Sequence, residues 1–384
     1  MSSARPMPDE ATPLAAILTE HIRAWGPITF AKYMDACLYD LRHGYYTRAE
    51  QSPRRDYFTS VDASPIFGRL LARQFQEMWV QLGRPAEFLL LELGAGPGAL
   101  AAQVLDFAAE SFPEFYVAVQ YVAVERSAVR RAAAAAAGGS LAKHLAAGRF
   151  AMVSDMPAQI PCGCIFSNEF FDALPVHRLA REANDLREIY VGLGANGLRE
   201  QFGPLSTPAL AEYLHQQGIT LQEGQLAEVN LEACAWIAEI GARLGRGFAL
   251  TIDYGHQAEE LYDQRHMRGT LLAYEKHRAT ENFFRAPGQQ DLTAHVNFTA
   301  LQRHGSAVGL QRTGFTSQSN FLLALARHGD FADLQSPAMS ESEQVRARLL
   351  FKTLIYPEGM GETFQILIQH KGVEQPRLSG LDPL

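Results

Sequence analysis

The residues of this chain whose spacing best suits chemistry are Glu92-Leu93-Gly94-Ala95-Gly96-Pro97-Gly98. Glycines at 94, 96 and 98 let a backbone approach a ligand closely and adopt positive φ. The Ala-rich helical pattern that follows from Ala99 would aim free N–H groups and a positive dipole end at that ligand. Gly94-x-Gly96-x-x-Ala99 also satisfies the dinucleotide fingerprint. Two features argue against a dinucleotide. A pyrophosphate would lie close to Glu92 and meet like charge, whereas a ligand carrying a sulfonium and an ammonium would not. Glu125, which closes the next strand pattern, also comes well beyond the roughly 20 residues expected of a dinucleotide site.

A second candidate is Ser167-Asn168-Glu169-Phe170-Phe171-Asp172-Ala173-Leu174-Pro175. Two carboxylates flanking two aromatics could hold a cation by charge and by ring face. The other reading, in which Asn168 and Asp172 cap a turn while the phenylalanines fill the core, stays open. Arg268, Tyr274, His277, Asp291, His295 and Asn297 add polar groups within a loop-rich stretch, 256–300.

These residues must be carried by strands and helices in alternation: strand 88–93, helix 99–110, strand 119–125, helix 127–137, strand 149–153 and strand 162–167. That pattern predicts an α/β fold with a doubly wound, mostly parallel sheet. Ligands of such sheets bind beyond the carboxyl ends of the strands, where the glycine loop, the 168–175 loop and Asp253-Tyr254-Gly255 should meet. The first 85 residues read as helices and aromatic-rich loops without strands. Thr29 is expected to cap a second helix, and Pro65 to open a helix running to about Leu82. Residues 1–12 read as a disordered tail, 13–85 as a helical N-terminal region and lid, and 86–384 as the main domain with an insertion at about 176–227. Within the insertion, 187–193 and 198–202 read as a β-hairpin at the sheet's edge. A helix is expected from about Glu228 to Leu244, a strand at 247–252 and a closing strand at 364–369.

At 384 residues and 47% hydrophobic content the chain can bury a large core, and a net charge of −8 gives no general attraction to nucleic acid or anionic membrane. Four scattered cysteines are too few for a disulfide framework and favour a reducing compartment. Cys162-Gly163-Cys164 has no second ligand pair nearby, so no metal site is expected. No stretch of about 18 apolar residues is free of charge, so no transmembrane helix is expected.

Glu-Leu-Gly-x-Gly-x-Gly followed by a strand ending in Glu resembles the S-adenosylmethionine-dependent methyltransferases. The ordered set Gly44-Tyr45-Tyr46, Asp56-Tyr57-Phe58-Thr59-Ser60, Phe67-Gly68, Glu92 to Gly96, Asn168 to Pro175, Asp253-Tyr254-Gly255 and Asp291 to Phe298 resembles the MidA family, methyltransferases of mitochondrial complex I assembly and their bacterial relatives. The resemblance implies S-adenosyl-L-methionine held by Thr59, Glu92, Gly94, Ala95, Gly96, Gly98, Glu125, Asp155, Met156 and Asn168, with Glu125 on the ribose and Asp155 near the adenine. It implies an arginine acceptor on a protein, a respiratory complex I subunit in the mitochondrial members, gripped by Glu169 and Asp172, with Asp253 or Asp291 as substitutes. It places the chain in the cytoplasm, or in the mitochondrial matrix of a eukaryote, and is compatible with a homodimer. A cofactor-binding assembly chaperone without catalysis and a small-molecule methyltransferase remain as alternatives.

Overall fold

The computed structural model describes residues 12–47, 65–136, 140–275, 278–335, 340–356, 361 and 363–384. The chain forms two compact units: one draws on Phe58–Phe171, Cys234–His256 and Phe298–Leu384, the other on Met1–Tyr57, Asp172–Ala233 and Gln257–Asn297.

The first unit is built on the expected sheet. Its strands are β1 (Phe88–Leu93), β2 (Val119–Val124), β3 (Phe150–Val153), β4 (Ile160–Asn168), β5 (Leu244–His256), β6 (Gln311–Ser317) and β7 (Phe364–Lys371). They lie side by side in the order β6-β7-β5-β4-β1-β2-β3. β5, β4, β1, β2 and β3 are mutually parallel, and β7 runs antiparallel to both β5 and β6. The apolar runs that predict these strands are nearly continuous because helices cover both faces. Helix Pro65–Gln81 buries Leu70, Leu71, Phe75 and Met78 at helical spacing, and Phe75 meets Phe166 of β4 at 4.8 Å between ring centroids. Helix Ala99–Ser111 packs beside it, burying Leu100, Val104 and Leu105.

The second unit has its own apolar core of Leu14, Leu18, Ile22, Phe30, Tyr33, Met34, Leu38, Val176, Val191, Leu271 and Phe283, among others. Here the sequence expectations need correction. The hairpin Asp185–Gly194 and Gly197–Gly203 forms as expected but not at the edge of the main sheet. It belongs to a separate antiparallel sheet with His177–Glu182, Leu226–Val229 and the two-residue strand Ile28–Thr29. The N-terminal region therefore does contain a strand, too short to leave a pattern. The segment from Glu228 splits into a strand end at Val229 and a helix, Leu231–Arg243. The stretch 256–300 is not simply loop: Leu272–Glu275, Arg278–Thr280 and Asp291–Thr293 make a three-stranded sheet.

Thr12, expected in the tail, is the N-cap of helix Pro13–Trp25: its hydroxyl oxygen accepts from Ala15 N at 3.1 Å and its hydroxyl donates to Pro287 O at 2.9 Å. Thr29 caps helix Phe30–Tyr39 as expected. No helix among the described residues is long and apolar enough to cross a membrane.

Candidate functional site

Because β1, β2, β3 and β4 are adjacent and parallel, their carboxyl ends place the glycine loop, Glu125, Ser154-Asp155-Met156 and Asn168-Glu169 along one edge of one sheet. Backbone bonds continue past the strand ends: Ala95 N donates to Val124 O (3.1 Å), Glu125 N to Val153 O (3.0 Å) and Glu169 N to Ile252 O (3.0 Å).

The loop has the conformation its glycines predict. Gly94, Gly96 and Gly98 sit at φ of 68°, 54° and 80°, and a Cβ built on Gly96 meets nothing within 4 Å. Gly98 leads into helix Ala99–Ser111 with no side-chain cap on the helix start, which suits an anionic or hydrogen-bond-accepting ligand group. Ala95 is buried beneath the loop. Glu125, 7% exposed, accepts from Gly96 N at 3.0 Å through Oε2 and from Ser127 N at 2.7 Å through Oε1. Each carboxylate oxygen has a further lone pair, so the group can brace the loop and still receive ribose hydroxyls.

Glu92 departs from the expectation of a charged neighbour to the loop. It is 4% exposed, and the Tyr121 hydroxyl donates to its Oε2 at 2.6 Å. Burial pushes the Glu92 carboxyl up to about 8, against the opposing hydrogen bond from Tyr121 and with help from the Glu125 charge. At neutral pH the group is mostly protonated, so repulsion of a pyrophosphate by Glu92 is a weak discriminator. Tyr121 itself is a residue the sequence did not single out; its signal is a lone phenol between Val119 and Ala123 on the buried face of its strand.

Asp155 is exposed just past β3, with the Ser154 hydroxyl donating to its Oδ2 at 2.6 Å. Met156 is buried, and its carbonyl accepts from the Arg243 guanidinium. Thr59 lies outside the described residues, as do the Asp56-Tyr57-Phe58-Thr59-Ser60 motif, most of the expected lid and His277.

At the end of β4, Asn168 Nδ2 donates to Glu169 Oε1 at 3.0 Å, while Asn168 Oδ1 and the Ser167 hydroxyl are buried without hydrogen-bond partners among the described residues. Buried orphan polar atoms at a strand's carboxyl end are what a missing ligand leaves behind. Together with the open Gly96 and the uncapped helix start, they fit a bound nucleoside-type cofactor. Glu169 is half-buried and occupies the left-handed region at φ 52°. Asp253, proposed from sequence as a substitute for gripping a substrate, instead spends its carboxylate on backbone: Oδ2 accepts from Phe170 N (3.1 Å) and Phe171 N (2.9 Å), and Oδ1 from Tyr254 N (3.0 Å). Phe170 stacks where a Cβ on Gly94 would be, 2.9 Å from its Cδ2, and meets Trp236 edge-on at 5.2 Å.

Asp172 and Asp291 belong to the second unit, both buried. The Asp172 carbonyl accepts from Ala294 N at 3.1 Å, and Asp291 Oδ1 accepts from the Tyr46 hydroxyl at 2.7 Å. Tyr274 stands opposite Asp291 in the three-stranded sheet, its phenol pushed up by burial and then by the charges of Asp172 and Asp291.

Comparison with known proteins agrees with this geometry. A family model described as S-adenosyl-L-methionine-dependent methyltransferase matches residues 70–316. Among curated relatives, "Protein arginine methyltransferase NDUFAF7, mitochondrial" of Rattus norvegicus is 28% identical, covering 94% of this chain and 86% of the relative. The Homo sapiens protein of the same name is also 28% identical, covering 98% and 88%. A crystal structure of a candidate methyl transferase from Burkholderia thailandensis bound to S-adenosyl-homocysteine superposes with a TM-score of 0.85 at 30% identity, covering 98% of this chain and 97% of that one. The sheet order, the glycine cradle and a match across more than half of the sequence lead to one conclusion: the chain belongs to the family of S-adenosyl-L-methionine-dependent methyltransferases.

Proposed function

We propose that the protein methylates an arginine side chain of another protein. S-adenosyl-L-methionine supplies an electrophilic methyl group on a sulfonium; the residues of this chain bind it, orient the acceptor and exclude water. A guanidinium is a poor nucleophile because its lone pairs are delocalised, so a carboxylate must grip it and favour charge localisation on the attacking nitrogen. The observation that carries this reading is Glu169, a half-buried carboxylate held in left-handed backbone at the end of β4 on the edge that bears the glycine loop. Asp172 is the second choice for that grip. Much of the catalysis asked of the site is proximity and alignment.

The relatives named as protein arginine methyltransferases support the choice of acceptor. The resemblance to the MidA family extends it to a respiratory complex I subunit or similar protein, and to the cytoplasm or the mitochondrial matrix. Arg178 and Arg268 speak against a retired, chaperone-only site: they pair with Glu200, Glu228 and Glu281, none of them the carboxylates assigned to the fork.

The test is to incubate the protein with methyl-labelled donor and fractionated extract of its own cells, follow intact protein masses, and hydrolyse labelled proteins for methylated arginine. Methylarginine in a protein fraction supports the reading. Label confined to small molecules overturns it in favour of a small-molecule methyltransferase, and donor binding without any transfer in favour of a chaperone.

A further inference from the structure

We infer that Asp253 is the positioning residue of the acceptor loop Glu169–Phe171 and that, through Phe170, it joins this loop to the donor cradle as one mechanical piece; the inference rests on reading that loop as the acceptor side. Three consecutive amides of the loop are stitched to β5. Glu169 N donates to Ile252 O, prolonging the β4–β5 ladder by one bond beyond its last pair, and the next two amides converge on Asp253 Oδ2. Convergence of successive N–H groups on one anionic oxygen next to a left-handed residue is a backbone nest, filled here by a side chain of the protein itself. Tyr254 N fixes Oδ1, so the carboxylate is held at both oxygens.

Asp253 is fully buried, and a buried carboxylate persists only where hydrogen bonds replace its water. What those bonds maintain is an unfavourable backbone, Glu169 at φ 52°. Released from the clamp, the residue would relax toward the ordinary β or α regions and swing its carboxylate away. Phe170 carries the arrangement onward. Its ring lies directly on Gly94, itself at φ 68°, with Trp236 of helix Leu231–Arg243 against its edge. A shift of the glycine loop must therefore move the Phe170 ring, and the clamp passes that motion to Glu169. Gly94 has two reasons to be glycine: its backbone conformation, and an aromatic ring where a side chain would go.

The test reads coupling and not only stability. Amide exchange across residues 165–175 is followed with and without saturating S-adenosylhomocysteine, alongside its dissociation constant, in wild-type protein, Asp253→Asn and Phe170→Ala. In the wild type, S-adenosylhomocysteine should slow exchange at Phe170 and Phe171 about tenfold or more. Asp253→Asn should exchange these amides rapidly without ligand and bind S-adenosylhomocysteine about tenfold more weakly, the scale of one charge-assisted hydrogen bond. Phe170→Ala leaves the carboxylate in place. It should keep the slow Phe171 amide of the free protein but lose the response to ligand, and it decides the matter alone if Asp253→Asn does not fold. Wild-type loop exchange indifferent to S-adenosylhomocysteine, or a Phe170→Ala protein that responds like wild type, overturns the inference. A protein that methylates arginine with the two loops uncoupled overturns the clamp and leaves the function standing; coupled loops in a protein that never methylates arginine do the reverse.

Discussion

The donor loop and the acceptor loop answer the same geometric demand in opposite ways. Both leave the carboxyl end of a parallel strand, and both turn through left-handed backbone. The donor loop does so with glycines, at φ 68°, 54° and 80°, and incurs no steric penalty. The acceptor loop does so with Glu169 at φ 52°, a conformation that costs a non-glycine residue about 1–2 kcal/mol. A glycine would relieve that cost and remove the carboxylate. Where the chemistry is a backbone cradle, the residue that suits the turn also suits the ligand. Where the chemistry is a side chain, the turn is held strained by a group 84 positions away in sequence, Asp253.

The comparison breaks most visibly at Glu169. Glu169→Gln keeps the loop's backbone demand and removes only the charge, so donor affinity and melting temperature should stay at wild-type values. Methyl transfer to the labelled protein fraction should fall by about a hundredfold or more, since a neutral amide cannot form a charge-assisted fork worth roughly 1.5–3 kcal/mol per bond. Transfer at the wild-type rate would place the fork elsewhere. Loss of donor binding as well would assign Glu169 to the cofactor and leave Asp172 the substrate.

The donor loop breaks at Gly96. A branched side chain at φ 54° is strained and would enter the open space that a ligand needs. Gly96→Val should therefore weaken S-adenosylhomocysteine binding by about a hundredfold or more in calorimetry, while far-ultraviolet dichroism shows the fold retained. NAD binding more tightly than S-adenosylhomocysteine to the wild type would undo the donor assignment altogether.

The same contrast explains what could be read from the sequence. The donor side is local: strand, glycines and helix follow one another within 88–111, and composition alone predicts them. Six strands of the main sheet and the Thr29 cap were legible for the same reason, and Gln311–Ser317 was not. The acceptor clamp is not local: the strand ends predict that the loops of Glu169 and Asp253 lie side by side, but nothing near either residue announces that Asp253 accepts from the amides of Phe170 and Phe171. The hairpin 185–203 was legible as a pair of strands, but its sheet was not. Its neighbours are the two-residue strand Ile28–Thr29 and His177–Glu182, which in turn carries the four-residue Leu226–Val229, and no periodicity survives over the shortest of these. Glu92 illustrates a third kind of failure. The right cofactor follows from a charge argument that burial beside Tyr121 largely removes, since periodicity places a residue on a strand without saying how much water it keeps.

Glu92 makes that last point measurable. Its carboxyl is raised in the folded state to about 8 from the ordinary 4.5, so the native state binds the proton more tightly than the unfolded chain. Its contribution to stability is then complete below about pH 4.5 and is lost as pH climbs through about 8. Glu92→Gln lacks this titration and still offers Tyr121 an acceptor. In urea denaturation at pH 5.5 and 8.5 the variant should gain on wild type between the two, by on the order of 3 kcal/mol. Parallel pH dependences would mean that Glu92 keeps its charge in the folded protein, and the repulsion argument against a pyrophosphate would recover its force.

The smallest effect belongs to Asp155, exposed and bonded to the Ser154 hydroxyl, where neither strain nor burial amplifies a substitution. Asp155→Ala should leave stability unchanged and weaken S-adenosylhomocysteine by about three- to tenfold, the scale of one solvent-accessible hydrogen bond. The assignment to the adenine sharpens further with an analogue in which the exocyclic amine is replaced by a carbonyl oxygen. If the Asp155 carboxylate accepts from that amine, the wild type should discriminate against the analogue and Asp155→Ala should bind both alike, because the two changes remove one and the same bond. Equal discrimination in both proteins would return Asp155 to the role of a turn residue closing β3. The adenine would then be held by apolar contact with neighbours such as Met156 and by backbone groups, the same economy of side chains that the glycine cradle already shows.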